Sequence, residues 1–428
     1  MALASGAAVS RGSSDTHIDA PQLQLFVMGL FFIFGGITSL NDVIIPKLKE
    51  LFTLNFTQAM LVQFCFFAAY AVIGIPGARL VKKIGYMRGA VAGLAVMMIG
   101  CLLFIPASQT ATYGLFLGAL FVLASGVVIV QVVANPLISL LGRPETAHSR
   151  LTFAQAFNSL GTTVFPYFGA ILILGSLATV TADQLSGIEL EAYRTAETAA
   201  IMNGYLGIAV ALAIVAAAVW MFRNALPGEQ HEASQGLAGF DLLKRRRFGF
   251  GALCIFLYVG AEVAIGSLIV NYLMQDHVMG LQEQAAGKLV AYYWLGALIG
   301  RLAGGFILRM FAPGRVLTTF ALGAIALIAL SAVSTGTVSG WALVAVGLCN
   351  SLMFPTIFSL GTEGAGEQAP QASGIMCTAI VGGAIVPFLF GTVADVSDNL
   401  RLALIVPVVC YLFIAFFGVW AAKRATHS

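Results

Sequence analysis

Residues 131–169 read QVVANPLISLLGRPETAHSRLTFAQAFNSLGTTVFPYFG. Two apolar segments flank a short basic hinge that holds Arg143, His148 and Arg150, and amides and prolines sit inside the apolar parts. Gln131, Asn135, Gln155 and Asn158 are poor neighbours for lipid, because a side-chain amide in hydrocarbon is costly unless a hydrogen bond satisfies it. Two arrangements meet that need. Either the amides pair between helices, or they line a wet cavity and bind a polar solute.

The chain around this stretch has 428 residues, 59% apolar and 10% charged, with a mean hydropathy of +0.93. Soluble domains carry about a quarter charged residues, so this composition specifies an integral membrane protein. A helix needs about 20 apolar residues to span a bilayer, and twelve stretches qualify. Six lie at 23–47, 57–81, 88–107, 111–141, 150–175 and 197–222; six more lie at 248–275, 285–310, 315–333, 338–361, 371–394 and 401–422. With the N-terminus inside, 17 of the 22 lysines and arginines fall on the inner side, and only Lys47, Lys49, Arg194, Lys288 and Arg401 fall outside. The positive-inside rule therefore predicts that both termini are cytoplasmic. Residues 1–20 have no apolar h-region, which predicts a cytoplasmic tail and not a signal peptide. The six cysteines stand alone in apolar segments, a pattern of packing residues and neither a disulfide framework nor a metal site.

The longest inner interruption, 223–247, ends in the run Lys244–Arg247 and divides the chain into two halves. The expected organisation is a tail (1–22), a six-helix half (23–222), a linker (223–247), a second six-helix half (248–422) and a C-terminal tail (423–428). The halves repeat. Asn350, Pro355 and Gly361 reproduce the spacing of Gln131, Pro136 and Gly142, and Gly382 with Pro387 reproduces Gly161 with Pro166. The hinge GARLVKKIGYMR (77–88) has a degenerate echo in GGFILRMFAPGR (304–315). Two halves related by an axis along the membrane normal are the architecture of a secondary transporter, with solute held between them near the midplane.

The hinge 77–89 has the pattern GxxxxKKxGxxRG. Its glycines permit tight turning and close helix approach, and its cations can bond helix-end carbonyls or acidic partners at an inner gate. A bare positive-inside loop is the alternative. The gate reading takes in Gly77, Lys82, Lys83, Gly85 and Arg88, together with Arg301 in GRLAG, which sits towards the inner end of its span.

The hinge resembles the signature loop of the major facilitator superfamily, although that pattern usually has an acidic residue where this chain has Lys82. The segments TSLNDVIIPKLKELFTLNFTQAMLVQFCFF (38–67), ANPLISLLG and AQAFNSLGTT are similar to the fucose permease-type sugar:cation symporters, most of all to their glucose/galactose transporter branch. The resemblance covers nearly the whole chain and is strongest in 25–175. It implies an all-α membrane protein of twelve transmembrane helices in two pseudo-symmetric halves. In fucose permease, carboxylates on the first and fourth helices serve coupling and sugar binding. Asp42 matches the first; Gln131 stands at the second, so a two-carboxylate mechanism at that pair is excluded here. Glucose-type relatives commonly carry Gln there, which implies a hexose of the glucose, galactose or mannose type ahead of fucose.

Asp42 and Glu262 are the acids within the predicted spans away from the loops, and no histidine falls there. A carboxylate inside a membrane is expensive and functional by default. It can load a proton, or hold Na+ together with neighbouring oxygens. Asp42 is expected to couple the cation, with Na+ beside it as one option; a solvated position near Lys47 is the alternative. Glu262 is expected either at the substrate or in a structural hydrogen bond. Gln131, Gln155, Asn158 and Asn350 each offer a donor and an acceptor, which suits sugar hydroxyls. Gln155 and Asn158 lie three apart on one helix face. Interhelical pairing is their alternative role. Tyr292, Tyr293 and Trp294 could stack on a pyranose or simply pack.

These observations predict an alternating-access symporter of a bacterial cytoplasmic membrane, importing a neutral hexose with H+ or Na+. An uncoupled facilitator or an exporter fits the same residues. A membrane enzyme would need a clustered nucleophile, base or metal set, which the sequence does not offer. The expected partners are a monosaccharide, the cation and the bilayer, with no cofactor, no nucleic acid and a monomeric chain.

Overall fold

A computed structural model describes residues 21–54, 56–174, 185–224, 241–281 and 283–425, and every regular element among them is a helix. In the first half run α1 (Pro21–Leu51), α2 (Phe56–Ile84), α3 (Tyr86–Leu102, continued by Phe104–Thr110), α4 (Tyr113–Leu140), α5 (Ala147–Leu174) and α6 (Gly187–Met221). The second half holds α7 (Arg246–Met274), α8 (Glu283–Met310), α9 (Pro313–Val333) and α10 (Gly336–Asn350 with Met353–Thr362). It ends in α11 (Ala369–Ala379 with Gly382–Ser397) and α12 (Leu400–Ala403 with Ile405–Ala425). Eleven of these helices are long and apolar enough to cross a membrane. The remaining one, α5, is the amide-bearing stretch with which the sequence opened.

Three boundaries differ from the sequence reading. Helix α6 starts at Gly187 and carries the polar residues Glu189, Glu191 and Arg194 as a leading extension. Arg194 donates through Nε to the carbonyl of Leu51 at the end of α1, which anchors that extension. The tail of the expected linker is helical: Asp241–Lys244 forms a turn of helix and α7 begins at Arg246. Arg247 therefore belongs to the second half. The linker stretch 225–240 and the tail residues 1–20 and 426–428 lie outside the described residues.

The sequence repeat becomes a packing repeat. A Cβ on Gly161 of α5 would collide with the carbonyl oxygen of Phe32 on α1; a Cβ on Gly382 of α11 would collide with that of Phe256 on α7. In each half the fifth helix thus lies directly on the backbone of the first, an approach only glycine permits. The helix ends are tied the same way. Gln24 donates from Nε2 to the Leu141 carbonyl at 2.8 Å, and Arg247 donates from Nε to the Leu360 carbonyl at 2.8 Å. Both bonds satisfy an orphan carbonyl at the end of the fourth helix of a half.

The halves meet along two seams. On one, Gly74 and Ala78 of α2 face Gly374 and Thr378 of α11. On the other, Ser149 of α5 donates to the Gly305 carbonyl of α8 at 2.5 Å and accepts from Arg309 Nε at 3.2 Å. Both seams lie towards the end that carries the basic hinges 77–89, 142–150 and 304–315. The molecule is closed at its basic end.

Candidate functional site

Glutamine 131 is buried in α4, and its Nε2 donates to the hydroxyl of Tyr70 on α2 at 2.8 Å. Asn350 is fully buried in α10, and its Nδ2 donates to the hydroxyl of Tyr293 on α8 at 2.7 Å. The two pairs occupy matching places in the halves: an amide of the fourth helix bonds a tyrosine of the second. Lone amides on a span cannot stay unpaired, and the repeat gives both the same solution. Tyr70 and Tyr293 lie one helical turn out of register in the hinge alignment of 77–88 with 304–315, so the matching of the two pairs is read from the packing.

Beyond this shared pair the halves diverge. In the first, Gln155 is buried, and Asn158 one turn away donates over a long 3.4 Å to the Phe31 carbonyl of α1. A Cβ on Gly35 would lie 2.9 Å from the Asn158 amide carbon, so this side chain is wedged between α1 and α5. Asp42 belongs to α1, and its side chain lies outside the described residues. Asn135, one turn below Gln131, is fully buried, and neither its Oδ1 nor its Nδ2 has a hydrogen-bond partner among the described residues.

The second half holds a connected ring of polar groups. Tyr258 on α7 has its hydroxyl 2.7 Å from Glu262 Oε1 and 3.0 Å from the Asn350 carbonyl oxygen. Tyr411 of α12 donates to Asn350 Oδ1 at 2.7 Å, and Tyr293 donates to the Glu262 carbonyl at 3.3 Å. Helix α10 is broken just here, after Asn350. Pro355 has no N–H to offer the carbonyl of Ser351, and Arg301 Nε fills that place at 3.3 Å. The ring makes Tyr293 a fully buried hydrogen-bonding residue, whereas Tyr292 and Trp294 on either side are exposed.

Among the gate residues, Gly85 has φ +89°, a backbone that favours glycine, and it turns the chain from α2 into α3. A Cβ on Gly77 would reach ordinary contact with Ile129 at 3.4 Å. Lys83 and Arg88 are exposed and Lys82 is half-buried. Of the gate residues Arg301 is the one that crosses a seam; other cations that bond helix ends or cross a seam, Arg150 and Arg309, lie outside the set. Arg150 donates to the carbonyls of Ile138 (3.2 Å), Arg143 (2.7 Å) and Ser139 (2.6 Å), closing the end of α4. Arg301 reaches from α8 to the Ser159 hydroxyl of α5, joining the two halves. Among the described residues no group of three or more His, Cys, Asp or Glu could hold a metal ion.

Two six-helix halves of repeated packing, closed at one end around buried amides, define the architecture of a solute carrier, and the comparisons name its family. The Major Facilitator Superfamily profile matches residues 27–387, and the chain belongs to that family. It is 48% identical over 394 residues to a glucose/galactose transporter of Brucella abortus, covering 92% of each chain. Against a putative glucose/galactose transporter of Helicobacter pylori it is 42% identical over 403 residues, covering 93% of this chain and 96% of that one. The L-fucose-proton symporter of Escherichia coli is 33% identical over 409 residues, with 93% and 92% covered. A crystal structure of the E. coli fucose:proton symporter superposes with a TM-score of 0.85 at 31% identity, covering 93% of this chain and 98% of that one. A crystal structure of FucP in the outward conformation gives the same TM-score at 32% identity, with the same coverage.

Proposed function

We propose that the chain is a sugar:proton symporter that imports a neutral hexose of the glucose, galactose or mannose type. The observation that carries this reading is the mirrored amide–tyrosine pair, Gln131–Tyr70 and Asn350–Tyr293, inside two halves closed at the basic end. Such groups donate and accept at once, as sugar hydroxyls do, and they carry no net charge to attract an ion. The resemblance to the glucose/galactose transporters and to the fucose:proton symporters supports the substrate class and the proton. The basic end is the cytoplasmic end by the positive-inside rule, so this conformation opens outward and both termini lie inside. In this reading Asp42 couples the cation, Gln131, Gln155 and Asn158 contact the sugar, and Glu262 and Asn350 form the facing wall. Gly77, Lys82, Lys83, Gly85, Arg88 and Arg301 act at the inner gate.

The test is uptake of a panel of labelled hexoses by proteoliposomes under separately imposed proton and sodium gradients. Accumulation driven by an inward proton gradient, with counterflow of the same sugar, is the expected outcome. Accumulation driven by sodium alone would replace the proton by Na+. Counterflow without accumulation would make the protein a facilitator, and no counterflow with any hexose would refute the substrate class.

A further inference from the structure

We propose that Glu262 is a second proton-carrying carboxyl, loaded in the conformation closed at the basic end and discharged when that end opens. The argument counts hydrogens. Asn350 is the last residue of its helical piece, so its carbonyl is an orphan helix-end acceptor. The Tyr258 hydroxyl, 3.0 Å away, supplies its hydrogen bond. A hydroxyl has one hydrogen and a main-chain oxygen has none. Once that hydrogen points at Asn350, the 2.7 Å contact between Tyr258 and Glu262 Oε1 needs a hydrogen from the carboxyl. No other hydrogen of the ring is placed on this contact. Tyr411 uses its hydrogen on Asn350 Oδ1, and Tyr293 accepts from Asn350 Nδ2 while using its own on the Glu262 carbonyl. A protonated Glu262 completes every bond in the ring; an ionised one takes the Tyr258 hydrogen from the Asn350 carbonyl.

The discharge follows from the groups that face the carboxyl. Tyr258 lies on its own helix, Tyr293 and Arg301 on α8, Asn350 on α10 and Tyr411 on α12, and Arg301 is the cation among them. In this conformation the guanidinium is engaged by the Ser351 carbonyl and, across the seam, by the Ser159 hydroxyl. Opening the basic end parts α5 from α8 and removes Ser159. The freed guanidinium then favours the carboxylate, the proton leaves Oε1 for water on the opened side, and the Tyr258 hydrogen turns to the carboxylate. The residue is half-buried, so water can reach it. At the offset that relates Phe32 of α1 to Phe256 of α7, Glu262 matches Thr38, one turn of α1 from Asp42. Each half thus carries a carboxyl near the same level of its first helix.

The inference rests on the proton-coupled reading above, and the test separates the two. Infrared spectra of the reconstituted protein, titrated from acid to alkaline pH, report the carbonyl stretch of protonated carboxyls whether or not any sugar is transported. The expected result is a protonated-carboxyl band persisting at neutral pH, present in Asp42→Asn and absent in Glu262→Gln. The same Glu262→Gln vesicles should take up about twofold fewer protons per sugar, measured as alkalinisation, since one of two coupled groups is lost. A band that survives Glu262→Gln, or an unchanged proton:sugar ratio, overturns the proposal. If that variant does not fold, Tyr258→Phe must shift the frequency of the band, because the carboxyl loses its hydrogen-bond acceptor; an unshifted band overturns the proposal equally. Wild-type protein that shows the band but transports no hexose would refute the sugar reading and leave the Glu262 proton established.

Discussion

The α2–α11 seam makes a measurable prediction through Gly374. A Cβ built there would lie 2.5 Å from the Ala78 Cβ and 2.5 Å from the Gly74 carbonyl oxygen. Carbon atoms settle at about 3.5–4.0 Å, so Gly374→Ala must push the helices apart by roughly 1 Å. Gly74 has no room to yield, because a Cβ built on it would itself lie 2.7 Å from the Gly374 carbonyl oxygen. Overpacking of this kind costs about 1–3 kcal/mol. The cost falls on the conformation in which the seam is closed and vanishes where α2 and α11 separate. The balance therefore moves towards the basic-end-open state by about 5-fold to 150-fold. Cys377 lies one turn along α11 from Gly374 and is fully buried, whereas Cys254 is buried inside the second half against α12. Alkylation by a membrane-permeant maleimide, followed by peptide mapping, reads both at once. Cys377 should react faster in Gly374→Ala by up to the same factor, while Cys254, the internal standard for unfolding, should not change. An unchanged Cys377 rate in a folded variant would mean that this seam does not open, and acceleration of both cysteines would mean that the substitution merely loosens the fold.

Other perturbations address the solute, the coupling and the hinge. Gln155→Ala and Asn158→Ala should each raise the apparent KM for sugar about threefold to tenfold, the worth of one hydrogen bond to a neutral ligand; wild-type affinity in both would make these amides helix-pairing groups only. Gln131→Glu places a titratable group beside Tyr70, so sugar binding should acquire a pH dependence absent from the wild type, and an unchanged profile would put residue 131 outside the cavity. Asp42→Asn should remove one of the two coupled protons, lowering the proton:sugar ratio about twofold and weakening accumulation while sugar exchange persists, since an amide keeps hydrogen bonding but cannot titrate; an unchanged ratio would assign that proton elsewhere. At the basic hinge, burial first and then the nearby Arg247 charge push the His148 imidazole from 6.5 down to about 4. The unfolded chain takes up that proton first, so stability should decline as pH falls from about 6.5 to about 4 and this contribution should level off below. His148→Gln should flatten that part of a pH series of thermal melts, and an identical slope would refute the assignment.

Much of this molecule is legible in the chain itself. Apolar run length and charge bias fix the membrane class, the twelve spans and the basic end, because a bilayer imposes the same local demand on every span. The repeat was legible too: the glycines at 161 and 382 and the amides at 131 and 350 have matching partners in space. What the sequence left open was the company each polar group keeps. Tyr70 with Gln131, Tyr258 with Glu262 and Tyr411 with Asn350 are chemically ordinary tyrosines in apolar runs, and nothing local distinguishes them from packing residues. Arg301 was among the cations singled out in the sequence and does cross a seam, whereas nothing local marked Arg150 or Arg309 as its companions at helix ends and seams. Glu197, inside α6 where the predicted sixth span begins, is buried. Hydropathy counts how many polar groups enter the membrane. Which partner satisfies each depends on side chains tens of residues away, brought within hydrogen-bonding distance only when helices pack, and so only the tertiary structure decides it.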